Sequence, residues 1–160
     1  MACVGALRTC GAPAPLTLVV RPLQMNAKLI DTDGEEGGVV VLSISGTELR
    51  AMNCLAYGQS SQRCPKIGEE FRPAFSCQSN DETTWESFFG GNPLKEQKLE
   101  STGLWSYKVY GKLVSVETSA NEALVDCGVC CISAPIEVSD PACIGEYVFY
   151  EISRLDAWLA

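Results

Sequence analysis

Histidine is absent from this chain, and its absence removes the commonest general base of enzyme active sites. Neither a Ser-His-Asp triad nor a Cys-His pair can be built from the remaining residues. A phosphate-binding glycine loop is also missing, because Gly37-Gly38 lacks the required spacing and a following lysine. We therefore expect a protein that is not an enzyme.

Basic residues are scarce. The chain has 12 Lys and Arg against 20 Asp and Glu, which gives a formal net charge of −8. Nucleic-acid binding gains most of its affinity when Lys and Arg neutralise phosphates. The loose basic set Lys95, Lys98, Lys108 and Lys112 is diluted by Glu and apolar residues. We therefore do not expect nucleic acid as a partner, and single-strand nucleic-acid binding is the second alternative function.

Long apolar runs are missing as well. No stretch reaches the roughly 18 apolar residues that a transmembrane helix needs, so no membrane partner is expected. Residues 1–15 make a poor signal peptide, because glycines and prolines interrupt their short apolar runs. We expect residues 1–15 to form a flexible arm, residues 16–160 to form a single β-rich domain, and the protein to be cytoplasmic.

Cysteine, in contrast, is abundant, with nine residues in the chain. The number is odd, so full intramolecular pairing is excluded, and in a reducing compartment free cysteines behave as small buried hydrophobes. A metal site at Cys127, Cys130, Cys131 and Cys143 is the alternative, with redox chemistry as a further one. Residues 122–132 alternate like one strand, which would place Cys127 and Cys131 about 13 Å apart, too far for one zinc ion. Structural cysteines are therefore expected, unless Gly128 forms a tight turn.

The first alternative function is a small enzyme that uses carboxylates or a cysteine in a pocket. Cys64 is the candidate reactive thiol, because Arg63 and Lys66 lie close to it in the sequence and a nearby cation favours the thiolate. Asp126 is the carboxylate of most interest, since its neighbours are apolar. Strand alternation explains Asp126 equally well as an outward-facing side chain.

Short runs of β-branched and aromatic residues, separated by Gly, Pro and Asn, predict strands in most of the chain, with one at 16–20. Residues 48–57 fit a strand or a short helix. Residues 81–89 fit one or two helical turns with Asp81 as the N-cap. The pattern predicts a mainly β fold, a small antiparallel barrel or sandwich with one or two short helices.

Residues 105–158 resemble part of an OB-type barrel. Gly111 would be the bend of a first strand, residues 127–132 its hairpin partner, and Gly145-Glu146 the start of the next strand. The resemblance implies binding of oligonucleotides or proteins and brings no catalytic residues. Ile67-Gly68-Glu69 and Ile144-Gly145-Glu146 also echo each other, which suggests two related β-units, 16–100 and 101–160.

Together these features predict a non-enzymatic β-barrel module that binds another protein or forms a homo-oligomer, without cofactors. The aromatic residues of the C-terminal third could supply a binding surface, although core packing accounts for most of them. The candidate binding residues are Trp105, Tyr107, Tyr110 and Tyr150.

Overall fold

The computed structural model describes residues 25–56, 63–80 and 82–160. The predicted arm at 1–15 and the predicted strand at 16–20 lie outside these ranges. The described residues contain one helix, α1 (Trp85–Gly90), a 3₁₀ turn at Pro141–Cys143, and ten strands. The strands are β1 (Ala27–Thr32), β2 (Val39–Ile44), β3 (Thr47–Asn53), β4 (Glu70–Phe71), β5 (Pro73–Ser79), β6 (Lys98–Ser101), β7 (Tyr107–Glu117), β8 (Glu122–Asp126), β9 (Cys131–Ser133) and β10 (Tyr147–Leu159).

All ten strands belong to one sheet, so the prediction of a mainly β fold is confirmed. The strand order is β4-β1-β2-β3-β10-β7-β8-β9, while β5 pairs with β10 and β6 pairs with β7. The pairs are antiparallel except for β3 with β10, which is parallel. The sheet is therefore mixed, and because it is not closed, the predicted barrel is not confirmed.

Strand β10 joins the two halves of the chain. Its first half, from Tyr147 to Ile152, pairs with β7, and its second half pairs with β5 and briefly with β3. The predicted related units 16–100 and 101–160 therefore contribute to the same sheet. Their relationship, and the single domain at 16–160, stay predictions.

Of the undecided segment 48–57, residues 48–53 lie in β3, which pairs with β2 as a hairpin. The two-residue turn between them, Ser45-Gly46, has positive φ at both positions (49° and 82°), as the right-handed twist of a tight hairpin requires. Leu49 and Ala51 alternate with outward-facing residues and are buried. A period of two along the segment selects the strand over the helix.

One short helix is present in the described residues. Thr84 caps α1, because its side-chain oxygen accepts a hydrogen bond from Ser87 N–H while Ser87 Oγ accepts one from Thr84 N–H. The expected N-cap at Asp81 is therefore wrong, and Asp81 itself lies outside the described residues. Phe88 projects from α1 into the core, where its ring centroid lies 5.7 Å from that of Tyr150.

The expected single strand at 122–132 is wrong. It breaks into β8 and β9 at Gly128, where φ is +84°, a backbone conformation that glycine adopts at little cost. The Asp126 carboxylate accepts a hydrogen bond from Gly128 N–H at 2.9 Å, an Asx turn that holds the bend. The break brings the side chains of Cys127 and Cys130 into contact.

Strands β7 and β10 give one face to the core and the other to the outside. Their buried side chains include Tyr107, Val109, Val148 and Tyr150. The intervening residues therefore point away from the core, since successive side chains of a strand alternate between faces. No helix in the part of the chain that the structure describes has the length and apolar character needed to cross a membrane.

Candidate functional site

The outward-facing side chains of β6, β7 and β10 form a surface that we name the aromatic–lysine face, consisting of Lys98, Tyr110, Lys112, Tyr147 and Phe149. Tyr110 lies at its centre, because it pairs with Lys98 on β6 and with Phe149 on β10. Lys112 pairs with Tyr147 one step further along. All five side chains are half-buried or exposed.

Each tyrosine of the aromatic–lysine face has ammonium groups over its ring. Lys98 Nζ lies 4.8 Å from the Tyr110 ring centroid. Lys112 Nζ and Lys95 Nζ lie 5.7 Å and 5.9 Å from the Tyr147 centroid. These separations fall within the roughly 6 Å at which a cation is attracted to the ring face. The aromatic rings thus hold three lysine side chains on one side of the sheet.

The two central rings also contact each other. The Tyr110 and Phe149 centroids are 4.9 Å apart, with the ring planes inclined at 45°. On its other side Phe149 meets the end of α1, where a Cβ added to Gly91 would lie 2.7 Å from the Phe149 Cβ. Phe149 is therefore contacted from two directions, by Tyr110 and by the end of α1.

Lys95 reaches the face from the loop between α1 and β6, and Asn92 fixes that loop. The Asn92 amide donates to Glu96 O at 2.8 Å and to Val148 O at 3.2 Å, and its oxygen accepts from Glu96 N–H at 2.9 Å. Asn92 is one of the two buried polar or charged residues in the described ranges. Its hydrogen bonds account for its burial, since a buried amide needs partners.

Carboxylates are interleaved with the lysines. Lys98 Nζ lies 3.1 Å from Glu96 and 3.9 Å from Glu100. The hydrogen bond to Glu96 raises the pKa of Lys98 above its ordinary value. In the strand register, Lys108 pairs with both Glu100 and Glu151. The aromatic–lysine face thus presents both signs of charge around an apolar centre.

Two large apolar side chains in and after α1 are exposed. Leu94, which precedes Lys95 in the loop, is 79% exposed, and Trp85 at the start of α1 is 51% exposed. The Trp85 ring stacks on Phe89, with centroids 4.6 Å apart. Single exposed apolar side chains are common on protein surfaces, so these two do not by themselves mark a binding site.

The structure separates the four predicted binding residues. Tyr110 lies on the aromatic–lysine face. Tyr107 and Tyr150 are on the core face, where the Tyr107 hydroxyl donates to Arg50 O at 2.8 Å and the Tyr150 hydroxyl donates to Ser133 O at 3.3 Å. Trp105 is half-buried before β7, and its carbonyl accepts a hydrogen bond from Leu155 N–H.

The predicted cysteine sites are also separated. Cys127 and Cys130 are in contact, with Sγ atoms 3.8 Å apart. Among the described residues, no three His, Cys, Asp or Glu side chains are close enough together to hold a metal ion, so Cys131 and Cys143 do not complete a site with them. Cys64 is exposed, and the neighbouring Arg63 donates to both carboxylate oxygens of Glu69, at 2.9 Å and 3.0 Å.

The sequence interpretation missed most of this face. It grouped the lysines and recorded the aromatic residues, but it treated the two sets separately. The sequence feature that connects the lysines with the aromatic residues is the alternation Lys108, Tyr110, Lys112. Because these residues are two apart along one strand, all three lie on the same side of the sheet. Pairing with β10 then adds Tyr147 and Phe149.

No known protein family, no curated protein and no solved structure matches this chain.

Proposed function

We propose that this protein is a non-enzymatic interaction module that associates with a second copy of itself through the aromatic–lysine face. The observation that carries the proposal is the arrangement of Lys98 and Lys112 around the Tyr110–Phe149 pair, with Glu96 and Glu100 beside them. Tyrosine is enriched among the residues that carry most of the binding energy of protein interfaces, and polar or charged residues commonly surround such a centre.

The mixed charge favours a second copy as the occupant. In a two-fold interface both protomers use the same surface, so when one residue contacts a second residue across the interface, the second also contacts the first in the symmetric position. The surface must therefore be complementary to itself. A face with both lysines and glutamates can therefore pair its positive part with the negative part of its partner. Such pairing would guide orientation and association rate more than it would add affinity.

Single-strand nucleic-acid binding remains the second candidate, because lysines beside aromatic rings resemble a stacking platform. The carboxylates argue against it. Lys98 is already paired with Glu96, and Lys108 pairs in register with Glu100 and Glu151, so few cations are left for phosphates. The −8 net charge of the whole chain adds repulsion.

The enzyme alternative has less support. Arg63, a cation expected to activate Cys64, is bound by Glu69, and the Asp126 carboxylate holds the turn at Gly128.

The proposal uses the OB-type resemblance only for the architecture of the fold. Strands β5 and β9 approach each other, with Cys77 Sγ donating to Ser133 O at 3.6 Å, although the sheet is not closed there. A cytoplasmic location is part of the same proposal.

A charge-swap experiment tests self-association. One variant carries Lys98→Glu with Lys112→Glu, and the other carries Glu96→Lys with Glu100→Lys. By light scattering after size exclusion, the wild type should show a dimer that dissociates on dilution, and each variant alone should be a monomer. An equimolar mixture of the two variants should recover the dimer.

The matched control is Lys28→Glu with Lys66→Glu, which reverses two exposed lysines on other elements and should leave the dimer intact. A wild type that stays monomeric at high concentration would refute the proposal. The nucleic-acid candidate is measured separately, by fluorescence anisotropy of a labelled oligothymidylate at low salt. Oligothymidylate binding that is lost in Lys98→Glu with Lys112→Glu would favour that candidate instead.

A further inference from the structure

The sequence Cys127-Gly128-Val129-Cys130 forms a tight turn between two strands, with Gly128 close to Gln97 O. Cys127 N–H donates to Cys130 O at 3.0 Å, which closes the turn, and the Cys127 thiol donates to the same carbonyl at 2.8 Å. The two Sγ atoms are 3.8 Å apart, and both residues are fully buried. Two thiols are thus held in contact at the turn between β8 and β9.

This backbone arrangement suits a disulfide. Residues that face each other in an antiparallel pair have Cα atoms about 4.5–5.5 Å apart, within the range of about 4.4–6.8 Å that disulfides span. Bond formation then needs the sulfurs to approach from 3.8 Å to about 2.05 Å, which rotation about the Cα–Cβ bonds can supply. The turn itself can stay in place.

The two thiols are not equivalent. The hydrogen bond from the Cys130 thiol lowers the pKa of Cys127, while the same bond and burial raise the pKa of Cys130 well above its ordinary value. Cys127 is therefore the first of the two to ionise. The thiolate is the nucleophile in cysteine oxidation, so Cys127 is the one to react first.

The buried dithiol lies close to the protein surface. A cleft of about 270 Å³ opens beside it, lined by Val129 from the turn together with Tyr107, Leu99 and Arg50. Burial raises the pKa of the Tyr107 hydroxyl, and negative charge on Cys130 acts in the same direction, which indicates that Tyr107 and Cys130 are close. Val129 and Tyr107 thus separate the dithiol from the cleft.

We propose that Cys127 and Cys130 form a reversible disulfide, with a peroxide as the oxidant and a dithiol as the reductant. The assignment rests on the thiol contact, the tight turn and the adjacent cleft, and it is independent of self-association. Conversion of the dithiol to the disulfide would lock the turn between β8 and β9 without a metal ion.

The reaction balances with hydrogen peroxide. The Cys127 thiolate attacks one peroxide oxygen, the O–O bond breaks, and the products are Cys127 sulfenic acid and hydroxide, which takes up the proton that Cys127 released. Cys130 sulfur then attacks the Cys127 sulfur, the S–O bond breaks, and the departing hydroxide takes the Cys130 proton. Two thiols lose two electrons in total, and the peroxide is reduced to two waters.

Peptide mass spectrometry of the wild-type protein tests the proposal. The protein is exposed to hydrogen peroxide, unfolded in the presence of iodoacetamide, and digested before Asp126 and Asp140, which places Cys127, Cys130 and Cys131 in one peptide. We expect this peptide to lose two hydrogens and to gain only one alkyl group, at Cys131. Treatment with dithiothreitol should restore three alkylation sites.

Variants assign the order of the steps. In Cys130→Ser, Cys127 should accumulate as a sulfenic acid that dimedone traps, whereas Cys127→Ser should give no dimedone adduct at Cys130. Cys131→Ser should still form the disulfide. Cys77 is the internal control, because burial raises its pKa to about 11, so it should remain fully alkylatable under the same conditions.

Three results would overturn the proposal: full alkylation of Cys127 and Cys130 after peroxide treatment, a bond that joins Cys131 to either of them, or dimedone labelling at Cys130 with none at Cys127. The wild-type peptide map needs no substitution at all. The proposal therefore stays falsifiable even if a buried cysteine variant fails to fold.

Discussion

The Asn92 side chain joins the loop that carries Leu94 and Lys95 to strand β10, by donating a hydrogen bond to Val148 O at 3.2 Å. The same amide group binds both the N–H and the carbonyl of Glu96, at 2.9 Å and 2.8 Å. One buried side chain thus sets the shape of the loop and its position against the sheet. The position of Lys95 over Tyr147 depends on this arrangement.

Replacement of Asn92 by Ala should lower the free energy of unfolding by about 2 kcal/mol, because the buried carbonyl of Val148 and the partly buried backbone groups of Glu96 would lose this partner. Urea denaturation followed by circular dichroism measures the effect. Asn80→Ala is the matched control, since Asn80 is exposed, and it should stay within about 0.5 kcal/mol of the wild type. Equal stability of the two variants would contradict the structural role of Asn92.

Gly111→Ala should destabilise the protein by about 1–3 kcal/mol, the usual cost of overpacking. A Cβ at Gly111 would collide with the Val125 side chain and would lie 2.8 Å from Asp126 O, a backbone atom that cannot move aside. Thermal unfolding measures the loss. Gly90→Ala is the control, because a Cβ there meets nothing within 4 Å, and it should not lower the melting temperature.

Gly111 illustrates what the sequence could and could not predict. Short runs of β-branched and aromatic residues predicted strands in most of the chain, but they did not decide between a strand and a helix at 48–57. The expected bend at Gly111 is not where the register shifts, which is between Leu113 and Ser115. Glycine is needed at position 111 because β8 packs closely against it, and that contact depends on the tertiary fold.

For a similar reason, the alternation of residues 122–132 did not predict the break at Gly128. Residues 122–132 alternate well enough for one strand, and the positive φ at Gly128 is stabilised by the Asp126 side chain. A period of two places Tyr107 and Tyr110 on opposite faces of a strand, but it cannot tell which face is buried. The sequence therefore predicted a β fold, whereas the aromatic–lysine face and the thiol contact needed the strand pairing.

Tyr107→Phe should lower stability by about 1–2 kcal/mol without changing self-association. The Tyr107 hydroxyl donates to Arg50 O at 2.8 Å and accepts from Arg50 N–H at 3.0 Å, so its loss leaves both backbone groups without this partner. Tyr110→Phe is the matched variant on the outer face and should change stability by less than about 0.5 kcal/mol. Urea denaturation and light scattering of both variants check the two expectations. A Tyr107→Phe protein that folds normally but no longer dimerises would place Tyr107 in the interface instead.

The Arg63–Glu69 pair should make stability depend on pH in the acid range. The hydrogen bond from Arg63 lowers the pKa of Glu69 below its ordinary value of 4.5, and a bond from Lys66 N–H acts in the same direction. The folded state therefore binds this proton more weakly than the unfolded state does. The stabilisation from the pair is present above the unfolded-state pKa and is lost as the pH falls through the lower folded-state pKa.

Glu69→Gln removes the charge and keeps the shape, so it should melt at a lower temperature than the wild type at pH 7. The difference should shrink as the pH falls through the folded-state pKa of Glu69, because protonation then removes the same charge from the wild type. Differential scanning calorimetry across this range measures the difference. Glu137→Gln, at an exposed position, is the control and should track the wild type at every pH. A deficit of Glu69→Gln that stays constant from pH 7 to pH 3 would show that packing at position 69 matters and that the charge of Glu69 does not.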